Sequence, residues 1–284
     1  MNGIVVPPRF ARQIRLHLVG NFLDLALSPV ICGIFGRAGD GKSAQLAVCL
    51  AHAETQVYRI NASDLESGLA GEPGKLIART YAAASLGVAK SKPAALVIED
   101  VDTTVGEWEQ NTGTVNHQQV LAELMHIADR PVDHERNSPA RVPIFVTGNN
   151  LGRLYPPLRR PGRMVVFGWR PTVDELHGVV SRIFAEVAAP QVIDALVREF
   201  RDEPVAFFAE VRRRLHTEAA AALLGDLPRD MCEVLQMKAR MRELLDRGSP
   251  ADGYEVLRAA KEVRDDRELA SRDFLDGTAR GGRR

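Results

Sequence analysis

The stretch Gly36-Arg37-Ala38-Gly39-Asp40-Gly41-Lys42-Ser43 matches the phosphate-binding pattern G-x-x-x-x-G-K-[S/T]. It follows an apolar run over residues 30–35, which predicts a buried strand, and it precedes a predicted helix over residues 43–53. Glycines let successive backbone N–H groups turn around phosphate oxygens, and the N-terminus of the helix adds a positive dipole. Strand, loop and helix in this order predict a nucleotide-binding site.

The residue types of the loop predict how it binds ATP and Mg²⁺. Lys42 is expected to reach the terminal phosphates, and the hydroxyl of Ser43 is expected to ligate the metal ion. The predicted nucleotide contacts are Gly36, Arg37, Ala38, Gly39, Asp40, Gly41, Lys42, Ser43 and Ala44. The alternative is a glycine turn that matches the pattern by chance.

Length and charge bound the class of protein. The chain has 284 residues, with Lys+Arg and Asp+Glu both at 37, so no bulk charge favours nucleic acid or an anionic membrane. Residues 1–8 lack a signal-peptide pattern, and the longest apolar stretch, 23–35, is interrupted by Asp24, Ser28 and Pro29. We therefore expect a cytoplasmic protein without a membrane or nucleic-acid partner.

Cysteine and histidine do not predict a metal centre. Cys32, Cys49 and Cys232 are odd in number and lack paired metal spacing, so buried free thiols are expected. His117 and His126 do not form an H-E-x-x-H motif and have no cysteine beside them. A zinc site is not expected.

Apolar runs alternate with helical patterns in the first part of the chain. The predicted strands are residues 30–35, 56–61, 94–100, 143–147 and 164–168, and the predicted helices between them are 43–53, 73–86 and 115–128. Strands that are apolar throughout favour a parallel α/β sheet with helices on both faces.

The pattern changes after Pro171. Thr172 to Glu175 is a capping-box sequence, and it opens helical segments that continue to about Asp276. The chain is therefore predicted to contain an α/β nucleotide-binding domain (1–171), a helical lid domain (172–276) and a disordered basic tail (277–284).

Two adjacent acids, Glu99 and Asp100, end the third predicted strand, which should lie beside the phosphate loop. One carboxylate, Glu99, can hold the Mg²⁺ shell while the next, Asp100, positions the attacking water. This is a Walker B arrangement. The alternative is a solvated strand end.

Polar residues near the fourth and fifth strands are further candidates. The amide of Asn149 could orient the attacking water, although the segment 147–149 could also be an ordinary turn. Arg159, Arg160 and Arg163 surround a Pro-Gly turn and could act as fingers in a neighbouring site, or form a solvated basic loop.

A second arginine cluster lies in the helical part. Phe207-Phe208 is expected to be core, and the arginines at 212–214 follow it. One of these arginines could turn back to the nucleotide, while the alternative is a charged helix face.

These motifs, in this order, resemble an AAA+ ATPase, and longer blocks are similar to the green-type Rubisco activases. The likeness runs from about Ile4 to Arg214. The blocks that carry it are residues 61–77 (Asn61-Ala-Ser-Asp-Leu-Glu-Ser-Gly-Leu-Ala-Gly-Glu-Pro-Gly-Lys-Leu-Ile77), 114–120, 125–129, 141–149 and 154–164.

The resemblance implies an AAA+ P-loop fold and an ATP-driven homo-oligomeric ring, usually a hexamer, that pulls on a client protein and releases a trapped ligand. Rubisco is the candidate client. The resemblance also implies residue roles: Lys42 and Ser43 in Walker A, Glu99 and Asp100 in Walker B, Asn149 as sensor 1, Arg160 and Arg163 as arginine fingers, Arg212 and Arg214 in the sensor 2 region, Val6 beside adenine, and 65–72 and 112–116 as pore loops.

Three departures bear on the site and on the client. Glu99 stands where activases usually have Asn and most AAA+ proteins have Asp, so the roles of Glu99 and Asp100 could be divided either way. Gly113 stands where plant activases have a pore-loop Tyr. By the same resemblance, the chain is expected to lack the N-terminal domain through which plant activases engage Rubisco. Client grip is then expected from Leu65, Glu66 and Leu69. A slowly hydrolysing ATP-dependent switch and a nucleic-acid loader are the competing hypotheses.

Overall fold

The computed structural model describes residues 4–65, 71–104, 115–224, 230–246 and 251–279. The chain divides into two compact units, Met1–Arg170 and Pro171–Arg284. Each unit has its own hydrophobic core among the described residues.

The first unit is built on a parallel sheet of five strands. The strands are β1 Ile31–Phe35, β2 Gln56–Ile60, β3 Ala94–Ile98, β4 Ile144–Gly148 and β5 Met164–Gly168. They lie in the order β2-β3-β4-β1-β5. All five predicted strands are present, and β1, β3 and β4 are buried along their whole length, as expected for a parallel sheet covered on both faces.

Helices cover both faces of this sheet. The helices of the first unit are α1 Pro8–Phe22, α2 Lys42–His52, α3 Glu72–Val88, α4 Val101–Thr104 and α5 Val115–Asp129. Residues of α1 and α2 pack on one face, and residues of α3 and α5 pack on the other. Helix α1 was not among the predicted helices; its buried residues, including Phe10 and Ile14, recur at helical spacing and would have indicated it.

The strand order corrects one expectation. Strand β3, which ends just before Glu99, is not the immediate neighbour of β1, because β4 lies between them. The register pairs Phe35 of β1 with Gly148 of β4. The phosphate loop, the turn after β4 and the two acids therefore meet at one edge of the sheet, with the turn in the middle.

The second unit is helical. Its helices are α6 Val173–Ile183, α7 Pro190–Glu199, α8 Val205–Leu224, α9 Met231–Asp246 and α10 Gly253–Ala279. Thr172 and Glu175 form the predicted capping box with both hydrogen bonds present. Phe207 and Phe208 lie in the core, as predicted.

Two expectations about the second unit need correction. Helix α10 continues to Ala279, beyond the predicted end at Asp276, and residues 280–284 of the predicted tail lie outside the described residues. Cys232 is exposed, whereas Cys32 and Cys49 are buried as predicted. Cys232 lies near the start of α9, outside the core of its unit.

Candidate nucleotide-binding site

The phosphate loop joins β1 to α2 at the carboxyl edge of the sheet. A Cβ atom on Gly36 would collide with the carbonyl oxygen of Trp169, so only glycine fits there. Gly39 and Gly41 have φ angles of +82° and +76°, in the left-handed region that favours glycine. Close packing or a left-handed backbone conformation therefore favours glycine at each of the three positions of the motif.

The side chain of Lys42 lies in the mouth of this loop. Its Nζ donates hydrogen bonds to the carbonyl oxygens of Gly36 at 2.8 Å and Arg37 at 3.0 Å. A third bond runs to Oδ1 of Asn149 at 2.9 Å. The lysine and asparagine predicted from sequence are thus brought together, although 107 positions separate them in the chain.

The surroundings of Lys42 act on its pKa in two opposite directions. Burial lowers its pKa, and three carboxylates oppose that shift, those of Asp40, Asp100 and Asp102. An ammonium held in a partly dehydrated loop attracts phosphate oxygens more strongly than one in open water.

Asp40, a buried residue of the phosphate loop, contacts several residues around it. Arg37 pairs with the fully buried Asp40, with Nη2 to Oδ1 at 3.0 Å. The backbone carbonyl of Asp40 accepts hydrogen bonds from the indole N–H of Trp169 at 3.0 Å and from the amide of Gln45 at 3.1 Å. These contacts hold the backbone of the loop in place.

A cavity of about 540 Å³ opens beside the loop. It is lined by Phe35, Gly36, Arg37, Gly168, Trp169 and Arg170. Val6 is half-buried in the hydrophobic cluster that contains Trp169, whereas Ala44 is exposed in the first turn of α2. Apolar and cationic groups on one cavity suit a nucleotide, which has an aromatic base and a charged phosphate chain.

The two predicted Walker B acids differ in their surroundings. Glu99 is half-buried, and its Oε1 lies 3.6 Å from Nη1 of Arg59 on β2. Asp100 is exposed and has a φ of +50°, and its N–H donates to the hydroxyl of Thr147 at 3.3 Å. A left-handed residue that is not glycine marks a sharp turn after β3, which separates the directions of the two carboxylates.

The sequence interpretation missed Arg59 and Asp102. Asp102, on α4, is 3% exposed. Its Oδ2 accepts hydrogen bonds from the backbone N–H groups of Asn149 at 2.9 Å and Asn150 at 2.8 Å. The third acid in the run Glu99-Asp100-Val101-Asp102 was the sequence signal for it.

The arginines after β4 differ in how they are held. Arg163 makes two parallel bonds of 2.7 Å to Asp129, and it also donates to the carbonyl of Pro157 at 3.1 Å. The bond from Arg163 lowers the pKa of Asp129. Arg160 is exposed, and no side-chain partner is found for it among the described residues; in the same part of the chain, Nε of Arg159 is buried without a partner.

Arg212 and Arg214 of α8 also differ in the partners that hold them. Arg214 is bound by three carboxylates of its own unit, those of Glu218, Glu262 and Asp266. Arg212 is half-buried, burial lowers its pKa, and it has no carboxylate partner within the ranges the structure describes. Of the two predicted sensor arginines, Arg212 is the one without a carboxylate partner among the described residues of its unit.

The predicted pore loops are described only in part. Residues 66–70, which include Glu66 and Leu69, and residues 105–114, which include Gly113, lie outside the described residues. Leu65 is 3% exposed and belongs to the sheet core, so the expectation that it grips a client is wrong.

The AAA family, described as "ATPase family associated with various cellular activities", matches residues 32–171. The chain contains an AAA ATPase domain. The matched residues run from β1 to just after β5 and include the phosphate loop, both Walker B acids and Asn149.

Beyond the AAA domain, the chain resembles Rubisco activases. It is 39% identical over 227 residues to the chloroplastic ribulose bisphosphate carboxylase/oxygenase activase of Vigna radiata var. radiata, covering 76% of this chain and 52% of that one. It is also 39% identical over 224 residues to the activase of Anabaena sp., covering 75% and 54%. The chain spans about half the length of the curated relatives it matches.

A solved structure supports the fold. The crystal structure of the FIGL-1 AAA domain matches with a TM-score of 0.63 and 16% identity, covering 95% of this chain and 85% of that one. The predicted AAA+ fold class is confirmed. In the described part of the chain, no helix combines the length and apolar character needed to cross a membrane.

Proposed function

We propose that this protein is a Mg²⁺- and ATP-dependent AAA+ remodelling chaperone of the Rubisco activase type. One observation carries the proposal: Lys42 joins the phosphate loop to Asn149 in a chain that is 39% identical to Rubisco activases over three quarters of its length. The loop would hold the phosphates, and Asn149 would orient the attacking water.

In the proposed reaction, water attacks the γ-phosphorus of ATP, the bond to the bridging oxygen of ADP breaks, and the water proton passes to Asp100. Asp100 is favoured as the acceptor because it is exposed, whereas Glu99 lies beside the cation of Arg59. Arg212 is the proposed sensor 2 residue, since it lacks a carboxylate partner among the described residues. Arg214 is already bound by carboxylates.

The oxygen donors of the site fit Mg²⁺. The hydroxyl of Ser43 and the carboxylate of Glu99 would hold the ion, because Mg²⁺ prefers oxygen ligands and usually takes only one or two from the protein. The ion would neutralise charge on the phosphates during transfer. The chain's part is to supply the two ligands and to keep Lys42 and Asn149 aligned.

Hydrolysis is proposed to require a homo-oligomeric ring, a hexamer by family resemblance. Arg160 is exposed on the turn before β5 and is the proposed finger for the site of an adjacent subunit. Arg163 is tied to Asp129 in its own subunit, which favours a supporting role for it in holding this turn.

Rubisco carrying a bound inhibitory sugar phosphate is the proposed client. The test mixes host Rubisco, blocked with a sugar phosphate, with the full chain and ATP, and measures carboxylation. Activity should recover with ATP, but not with ADP or with a Lys42→Ala variant. No recovery, together with ATP turnover that Rubisco leaves unchanged, would contradict this client.

A second candidate is a switch that assembles with ATP and hydrolyses it slowly. The ion pair between Arg59 and Glu99 favours this switch, because the pair can hold the Glu99 carboxylate away from the nucleotide. Arg59→Ala would then speed turnover in the assembled state. In a remodelling chaperone, the same variant would not raise turnover.

A further inference from the structure

We infer that Asp102 is a positioning residue for ATP turnover, whose carboxylate fixes the turn that carries Asn149 and, through Asn149, the ammonium of Lys42. The inference rests on the proposed hydrolysis of ATP. Asp102 is 3% exposed, whereas Asn149 is exposed at the edge of the sheet. A buried carboxylate of this kind would act on the reaction through Asn149.

The carboxylate holds the turn at two successive points. Oδ2 of Asp102 accepts the N–H groups of Asn149 at 2.9 Å and Asn150 at 2.8 Å. These are the first two backbone donors after β4. Because bonds to an ionised acceptor are shorter and about twice as strong as neutral ones, this pair fixes the orientation of the peptide group between the two residues.

Gly148, which precedes this turn, allows the Asp102 carboxylate to approach the backbone closely. A Cβ atom on Gly148 would lie 2.7 Å from Oδ1 of Asp102 and 2.7 Å from a ring carbon of Phe35. Any larger residue would push the carboxylate away from the turn. The sequence Thr147-Gly148-Asn149 is therefore shaped around Asp102 as well as around the phosphate loop.

The turn controls where the Asn149 amide points. Oδ1 of Asn149 accepts the bond from Nζ of Lys42 at 2.9 Å, and the same Nζ contacts two carbonyl groups of the loop. A chain of hydrogen bonds thus runs from α4 through the turn after β4 to the phosphate loop. A rotation of the turn would move the amide away from the lysine and from the proposed position of the water.

Within the described part of the chain, only one of the two carboxylate oxygens of Asp102 is paired. Oδ1 of Asp102 is buried and has no hydrogen-bond partner among the described residues, and burying an unpaired carboxylate oxygen costs free energy. The paired oxygen, Oδ2, is the one that holds the turn.

The test compares Asp102→Leu, which removes the acceptor, with Asp102→Asn, which keeps one oxygen there. The full chain is used, and kcat and the Kd for ATP are measured separately. Asp102→Leu should lower kcat by about 10²-fold, as a misplacement of about 1 Å can, while the Kd for ATP stays near the wild-type value. Asp102→Asn should recover most of kcat.

A double-mutant cycle with Asn149→Ala separates positioning from general damage. If Asp102 acts through Asn149, the double variant Asp102→Leu/Asn149→Ala should be no slower than the slower single variant. Losses that multiply, or a wild-type kcat in Asp102→Leu, would overturn the inference.

Ser85→Ala is the matched control. The buried Ser85 hydroxyl bonds both the carbonyl and the N–H of Ala140, so its loss also removes two buried hydrogen bonds, but away from the site. It should keep the wild-type kcat. Amide hydrogen exchange at residues 148–153 should quicken in Asp102→Leu and stay unchanged in Ser85→Ala.

Hydrogen exchange also distinguishes a failure of the proposed ATP hydrolysis from a failure of the proposed role of Asp102. A wild-type chain that binds ATP without turnover would end the proposed function but would leave this measurement readable. Faster exchange at residues 148–153 in Asp102→Leu would then still support a turn held by Asp102. Unchanged exchange in that variant would overturn the inference.

Discussion

The Nζ atom of Lys42 lies 2.9 Å from Oδ1 of Asn149, so one hydrogen bond already joins the phosphate loop after β1 to the turn after β4. Because β4 lies between β1 and β3, Asn149 stands between the loop and the Walker B acids. A γ-phosphate bound by Lys42 would therefore lie within reach of the group proposed to orient the attacking water.

Lys42→Ala should abolish ATP binding. The ammonium and the loop amides form one cradle, and the variant removes its cation while freeing the carbonyl oxygens of Gly36 and Arg37, which repel phosphate. Isothermal titration with ATP checks this, and Lys90→Ala, an exposed residue after α3, is the control. Wild-type affinity in Lys42→Ala would remove the basis of the site.

Asp100→Asn should bind ATP and lose turnover, because the proposed acceptor of the water proton is gone. Glu99→Gln should instead raise the Mg²⁺ concentration needed for half-maximal activity, because a proposed ligand of the ion is lost. Both variants are measured for ATP affinity and for phosphate release over a Mg²⁺ titration. Trapped ATP in Glu99→Gln with an active Asp100→Asn would reverse the two roles.

The sheet and the phosphate loop were predictable because their signals are local. An apolar strand, three glycines with fixed conformational demands and a helix start lie within 24 consecutive residues, from Val30 to Ala53. The capping box at Thr172 is equally local, and both of its bonds are present. Helix ends are less sharply marked by such signals, and α10 continues to Ala279, three residues beyond the predicted end.

The partners of the site residues were not predictable in the same way. The contacts of Asp102 with Asn149 and of Arg163 with Asp129 join positions 47 and 34 residues apart. They depend on the strand order β3-β4-β1, which apolar runs alone do not specify. Leu65 was assigned to a client-gripping loop by resemblance, but its apolar side chain lies in the sheet core.

Arg212→Ala and Arg214→Ala should have different effects. Arg212 has no carboxylate partner among the described residues, so its removal should cost turnover, by about 10²-fold if it stabilises charge on the phosphates. Arg214 is bound by Glu218, Glu262 and Asp266, so its removal should cost about 1 kcal/mol of stability. Phosphate release and urea unfolding of both variants check this. Equal losses of turnover would contradict the distinction.

Acid should destabilise the first unit through His17. Burial lowers its pKa from 6.5 to about 4, so between these pH values the unfolded chain binds a proton that the folded chain does not. The free energy of unfolding should fall as pH drops through this window, by about 3 kcal/mol in all at 1.36 kcal/mol per unit. Above pH 6.5 His17 makes no such contribution.

His17→Gln should remove this part of the pH dependence. Urea unfolding between pH 7 and pH 4 measures it, and His52→Gln, at an exposed position of α2, is the control. A His17→Gln variant with the full wild-type slope would show that another group causes the acid loss.

The most direct test of the central claim is the rate of ATP hydrolysis as a function of protein concentration, with Lys42→Ala and Arg160→Ala proteins measured alone and mixed. If the Lys42 site is completed by Arg160 of an adjacent subunit, wild-type activity per subunit should rise with concentration. Each variant alone should be about 10³-fold slower or worse, and the mixture should regain part of the activity at mixed interfaces. A wild-type specific activity independent of concentration, with no recovery on mixing, would contradict the account.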